Sequence, residues 1–140
     1  MSSVVEIGIT SNKGDKILNV NEVQAIEGKG LLNDRKFKNE NSKECQITLI
    51  EIENIINFNK ISKTNIPAVD FRRNIITKGI KLNDLVGKKF FVGNVKLKAH
   101  DLCRPCKYLQ NKLGQNNFIN EFLHKGGLRC EILSSGKITV

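Results

Sequence analysis

Short β-rich runs separated by glycine-bearing turns dominate this chain, and they restrict it to architectures that give many strand edges a partner. Residues 4–10 are rich in β-branched side chains, Ser11-Asn12-Lys13-Gly14-Asp15 is a turn signal, and a second strand is expected over 17–26. Gly28 and Gly30 break that pattern and open a polar stretch to Glu44, after which 46–50 reads as a buried strand. Ile52, Ile55 and Ile56 recur at helical spacing within 51–60, which predicts a short amphipathic helix. Beyond Pro67 come a strand at 74–77, a turn at 83–86 and a hairpin of 88–92 with 95–100 about Gly93-Asn94, a pair suited to positive φ. A helix is expected from Pro105 to about Leu113, another over 117–123 ending at Gly126-Gly127, and a closing hairpin of 128–133 with 137–140 across Ser134-Ser135-Gly136. Strands outnumber helices and mostly form adjacent antiparallel pairs. The expected fold is mainly β, a closed or partly closed barrel with a few short helices packed on it.

At 140 residues, with no repeat or low-complexity linker, the chain is the size of one domain, 1–140. No apolar run approaches the roughly 20 residues that span a bilayer. Residues 1–6 lack a basic region followed by an apolar core, so the cytoplasm is the expected location. The four cysteines are too few and too dispersed for a secreted disulfide scaffold. Alternation over 128–133 places Cys130 with Leu128 and Ile132 on a buried face, and Cys45 is expected to be structural too.

Chemistry concentrates in His100-Asp101-Leu102-Cys103-Arg104-Pro105-Cys106-Lys107-Tyr108. Nearby positive charge favours thiolate, so Arg104, Lys107 and His100 should make Cys103 or Cys106 more acidic than a free thiol. With Pro105 in the first helical turn, Cys106 would sit at a helix start. The balance of 23 Lys plus Arg against 14 Asp plus Glu, a net charge of +9, favours anionic ligands in general. Most of it is scattered lysine. The arginines Arg35, Arg72, Arg73, Arg104 and Arg129 lie in or beside loops and turns, and guanidinium suits bidentate binding of phosphate or carboxylate.

Three motifs in order resemble a known family. Gly30-Leu31-Leu32-Asn33-Asp34-Arg35 is similar to a glycine-rich segment ending in Gly-Asp-Arg, with Asn33, tolerant of left-handed backbone, in the place of the second glycine. Arg72-Arg73-Asn74 matches Arg-x-Asn, and Arg104-Pro105-Cys106 matches a cysteine loop after a strand pair. With the closing segment 127–138, the chain resembles a small stand-alone MOSC domain, the module named after the C-terminal part of molybdenum cofactor sulfurase. The resemblance implies binding of molybdenum cofactor, with Cys106 ligating molybdenum or carrying a persulfide. Arg35, Arg72, Asn74, His100, Cys103, Arg104 and Lys107 would surround the cofactor. It also implies possible reduction of N-hydroxylated compounds and, at family level only, an association with pyridoxal phosphate. A cysteine desulfurase or a separate electron-transfer protein would then be the partner, because no motif for flavin, haem or an iron–sulfur cluster is found.

Other readings stand beside this one. Cys103, Cys106 and His100 could form part of a zinc site completed by Cys45 or His124, and Cys103-x-x-Cys106 could close a redox disulfide. Nucleic-acid binding would rest on charge and on Phe37 between Lys36 and Lys38. Against it, Phe58, Phe90, Phe91, Phe118 and Phe122 sit among apolar neighbours and are expected in the core.

Overall fold

The computed structural model describes residues 2–12, 14–104 and 107–140. Among the described residues ten strands form two sheets. They are β1 (Ser3–Ile9), β2 (Leu18–Val20), β3 (Glu22–Ile26), β4 (Gly30–Leu31), β5 (Ile47–Glu51), β6 (Ile75–Lys78), β7 (Lys89–Val92), β8 (Val95–Leu102), β9 (Leu128–Ile132) and β10 (Gly136–Thr139). The larger sheet has seven strands in the order β2-β1-β6-β5-β9-β8-β7, and the smaller has three in the order β10-β3-β4. Every pairing is antiparallel except β5 with β6. That parallel pair needs a crossover, and helix α1 (Ile52–Ser62) begins it.

Alternation along the strands builds two cores. Ile7, Leu49, Ile75, Leu97 and Leu128 of the large sheet meet Val23, Ala25, Leu31 and Ile138 of the small one in one buried cluster, so the sheets wrap a common interior as a curled half-barrel and its cover. The opposite faces of β5 and β6 present Ile50 and Ile76 to a second cluster beneath the helices. Phe58, Phe71, Phe118 and Phe122 pack there, with Phe118 and Phe122 stacked at 4.9 Å between centroids. Helices α2 (Lys107–Leu113) and α3 (Phe118–Glu121) contribute Leu109 and Phe118 to it. β5 is therefore buried on both faces, and residues 47–50 are all buried, Thr48 included.

The mainly β barrel expected from the sequence is present, with three local corrections. The segment 17–26 is two strands: β2 pairs with β1, and β3 joins the small sheet with β10 and β4. β9 and β10 form no hairpin with each other. β9 lies between β5 and β8, whereas β10 pairs with β3 through Ile138 and Val23. Ser134 and Ser135 make the change of sheet by accepting hydrogen bonds from the amides of Lys96, at 2.9 Å, and Glu27, at 2.8 Å. Phe91 is 65% exposed and lies outside the core, because its neighbour Phe90 takes the inward position of β7. Gly93 does turn the β7–β8 hairpin at φ 59°.

Candidate functional site

The segment 32–38 is a loop tied to the end of β1. Asp34 Oδ1 accepts from the Thr10 amide at 3.0 Å, Asp34 Oδ2 accepts from the Lys36 amide at 3.3 Å, and the Arg35 amide donates to the Thr10 carbonyl at 2.7 Å. Asn33 adopts φ 71°, the left-handed conformation that glycine otherwise supplies. This loop brings Lys36 to one end of the sheet.

Lys36, Thr48, Arg73, Cys103, Arg104 and Arg129 line a cavity of about 260 Å³. Thr48 of β5 lies directly across from Arg129 of β9. Thr48 is locked by Asn74: Asn74 Oδ1 accepts from the Thr48 amide and from Thr48 Oγ1, both at 3.1 Å, and the Asn74 amide donates to Thr48 Oγ1 at 3.0 Å. Asn74 Nδ2 donates to the Gly8 carbonyl at 3.1 Å, so one amide side chain joins β1, β5 and the start of β6. Arg73 is braced by its Nε, which donates to the Gly126 carbonyl at 3.0 Å.

Cys103 follows β8 and is 5% exposed, with its amide donating to the Gly127 carbonyl at 2.7 Å. Gly126 and Gly127 make that approach possible. A Cβ on Gly127 would collide with the Leu49 carbonyl, and its φ of 98° disfavours any other residue.

The electrostatics of the cavity are one-sided. Among the described residues Lys36, Arg73 and Arg129 form no ion pair, and Arg104 is paired only with Asp101 at 3.6 Å on the exposed rim. Burial, then repulsion from Arg73 and Arg35, pushes the Lys36 ammonium below its ordinary pKa; Cys103 and Asp34 offset this in part. Arg129 Nη2 donates to Cys45 Sγ at 3.4 Å, which places a second thiol against the arginine that lines the cavity. Cys130 faces the barrel interior, where burial chiefly, and then Cys103, raise its thiol far above the usual range.

The residues expected at the site are dispersed in a definite way. Cys103 and Arg104 line the cavity, and Asn74 lies buried behind Thr48. Arg35 is near enough to act on Lys36 electrostatically without lining the cavity. Arg72 lines a different cavity, with Lys16 and Lys112. His100 is the extra residue of a bulge in β8, its Nε2 2.9 Å from Glu131 Oε1. Lys107 is exposed at the start of α2. Cys106, and with it the expected Pro105 helix start, lies outside the described residues. Among those described, no group of three His, Cys, Asp or Glu side chains could hold a metal ion.

Lys36, Thr48, Arg73 and Arg129 were not singled out as a group by sequence reasoning. A signal existed for three of them: Lys36 directly follows the Asp34-Arg35 motif, and Arg73 and Arg129 are among the arginines whose place beside loops suits anion binding. Thr48 carried none.

Fold and cavity together define a small β-barrel protein with a cationic, thiol-bearing cleft at one end of its larger sheet. The chain belongs to the MOSC domain family, whose profile matches residues 34–140. Solved structures share its fold. The YuaD protein from Bacillus subtilis aligns at a TM-score of 0.83 with 15% identity, covering 99% of this chain and 92% of that one. YiiM from Geobacillus stearothermophilus aligns at 0.77 with 16% identity over 99% of this chain and 71% of its own. YiiM from Escherichia coli aligns at 0.71 with 18% identity over 99% and 66%. No curated protein matches the sequence significantly. Among the described residues no helix is long and apolar enough to cross a membrane.

Proposed function

We propose that the chain is a cytoplasmic protein that binds molybdenum cofactor in the cationic cleft, with Cys106 as the thiolate ligand. The observation that carries this reading is the convergence of Lys36, Arg73, Arg104 and Arg129 on one cavity in which three of the four lack a carboxylate partner among the described residues. Partly buried cations without counter-ions are costly to hold together, and an anionic ligand offsets that cost. The donor set fits the phosphate and pterin of such a cofactor: arginine forks for phosphate, an ammonium, and the Thr48 hydroxyl. Thiols at 103 and 106 are the soft donors that a sulfur-rich metal centre takes. Bound there, the group supplies redox chemistry at a sulfur-ligated metal.

The chain's own contributions are binding and orientation. An anion beside Lys36 favours its charged form, so binding weakens as pH rises through the lowered pKa of Lys36. Asn74 fixes the rotamer of Thr48, and Gly126 holds Arg73. Reduction of an N-hydroxylated substrate in this cleft would draw electrons from a separate protein.

The test is elemental and pterin analysis of protein made in a host that synthesises the cofactor. Wild type should carry molybdenum and pterin, and both Cys106→Ser and Arg73→Gln should lose most of them. Stoichiometric zinc without molybdenum, or a load indifferent to both substitutions, would overturn the proposal. A cofactor-free protein that gains one sulfur on Cys106 from a cysteine desulfurase would make it a carrier instead.

A further inference from the structure

Arg72 belongs to a motif that reaches the cationic cleft, yet it lies outside that cleft. It caps the turn of 3-10 helix Ala68–Phe71 in the left-handed conformation, φ 65° and ψ 33°, and its neighbour Arg73 lines the cleft while Arg72 does not. Arg72 Nη1 donates to the Asp15 carbonyl at 3.0 Å. Its Nη2 is wholly buried and, among the described residues, has no hydrogen-bond partner. A buried guanidinium nitrogen without an acceptor is rare in folded proteins, and it leaves the Arg72 cation short of a counter-charge.

The surroundings indicate what would supply that charge. Arg72 lines a cavity of about 310 Å³ with Lys16, Ile17, Asp70, Lys112 and Leu113, none of which lines the cleft described above. Lys112 Nζ is held at the mouth by the Gly14 carbonyl at 2.8 Å, and Arg72 is held by the next residue of the same loop. Both long side chains are thus anchored before any ligand arrives, which lowers the entropic cost of binding. Neither Arg72, Lys16, Lys112 nor Asp70 forms an ion pair among the described residues. Three cations against one carboxylate leave two net positive charges in the cavity, the complement of a phosphate dianion.

We propose that Arg72, Lys16 and Lys112 form a second anion site, separate from the cleft, that binds a small phosphate-bearing ligand. Arg72 is the inner cation of the site and the two lysines are the outer ones. The inference does not rest on the cofactor reading.

Inorganic phosphate is the probe, titrated at low ionic strength into isotopically labelled protein and followed by amide chemical shifts. Saturable shifts are expected at residues 15–17, 70–72 and 112–113, distinct from any at 36, 48, 103 and 129. Arg72→Gln should weaken phosphate at the first group roughly tenfold or more, the loss of a charge-assisted hydrogen bond, while molybdenum content stays at the wild-type level. Arg73→Gln should leave that group unaffected. If Arg72→Gln does not fold, the exposed pair Lys16→Gln with Lys112→Gln must show the same selective weakening. Absence of saturable shifts at the first group, affinity unchanged in these variants, or acetate binding as tightly as phosphate would each overturn the assignment.

Discussion

Replacing Asn74 by alanine tests whether this residue acts on the cleft through the framework. The side chain is 6% exposed and makes three hydrogen bonds, from the Thr48 amide and hydroxyl to Oδ1 and from Nδ2 to the Gly8 carbonyl. Alanine strands a buried N–H on β5 and a buried carbonyl on β1. At about 1–3 kcal/mol for each orphaned group, the loss should come to about 3–5 kcal/mol. With a urea m-value of about 2 kcal/mol per molar, the unfolding midpoint should fall by roughly 1.5–2.5 M at pH 7. Asn74→Asp separates hydrogen bonding from size, because it keeps both acceptor bonds but faces the Gly8 carbonyl with an oxygen. Its stability should recover as pH falls, when the neutral acid can donate to that carbonyl. A double-mutant cycle with Thr48→Val should show coupling of at least about 0.5 kcal/mol, since the two side chains share partners. A midpoint shift below about 0.5 M for Asn74→Ala would refute this account and return Asn74 to the role of a direct ligand contact.

Three further outcomes follow from the same geometry. The depressed pKa of Lys36 means the unfolded chain binds more protons between that value and 10.5, so native stability rises with pH across this window; Lys36→Gln should flatten the rise in urea midpoints from pH 7 to 10, and equal slopes would refute it. Buried Cys130, with its thiol far above the ordinary range, should resist iodoacetamide at pH 8 until the protein unfolds, whereas half-buried Cys45 should react in the native state, as peptide mass mapping would show. Gly127→Ala must displace the Leu49 carbonyl from its place at the β5–β9 pairing, which should cost about 3 kcal/mol and lower Tm by roughly 10 °C; a fall below about 3 °C would mean the junction yields easily.

Strand existence was legible because it depends on local alternation and on turns such as Gly93-Asn94, where the chain shows φ 59° at the glycine. Strand partnership was not. The runs 128–133 and 137–140 look like a hairpin from within, but Ile138 finds Val23 and Cys130 finds Ile47 and Ala99, choices made by the distant residues that must close the barrel. The split of 17–26 has the same origin: Ile7 pairs with Val20 in one sheet while Ala25 pairs with Leu31 in the other. Period-two patterning specifies a face and leaves the neighbour open.

The candidate site shows how far motif order carries and where geometry takes over. The Asp34-Arg35 segment, the Arg72-Arg73-Asn74 segment and the stretch after β8 all contribute to, or support, one cleft. Within each loop the residue that reaches the cleft depends on backbone direction. Asp34 is consumed in pinning its loop to Thr10, and the next residues then carry the charge inward. The left-handed turn at Arg72 parts two adjacent arginines, so Arg73 lines the cleft and Arg72 the separate cavity beside Lys112. Arg129 enters from a strand more than 90 residues beyond Lys36, facing Thr48 across a β ladder that no local pattern encodes. A site built from one-sided charge is therefore visible in sequence only as a count of cations. Which cations lack partners is decided by pairing, and three of those lining this cleft lack one among the described residues.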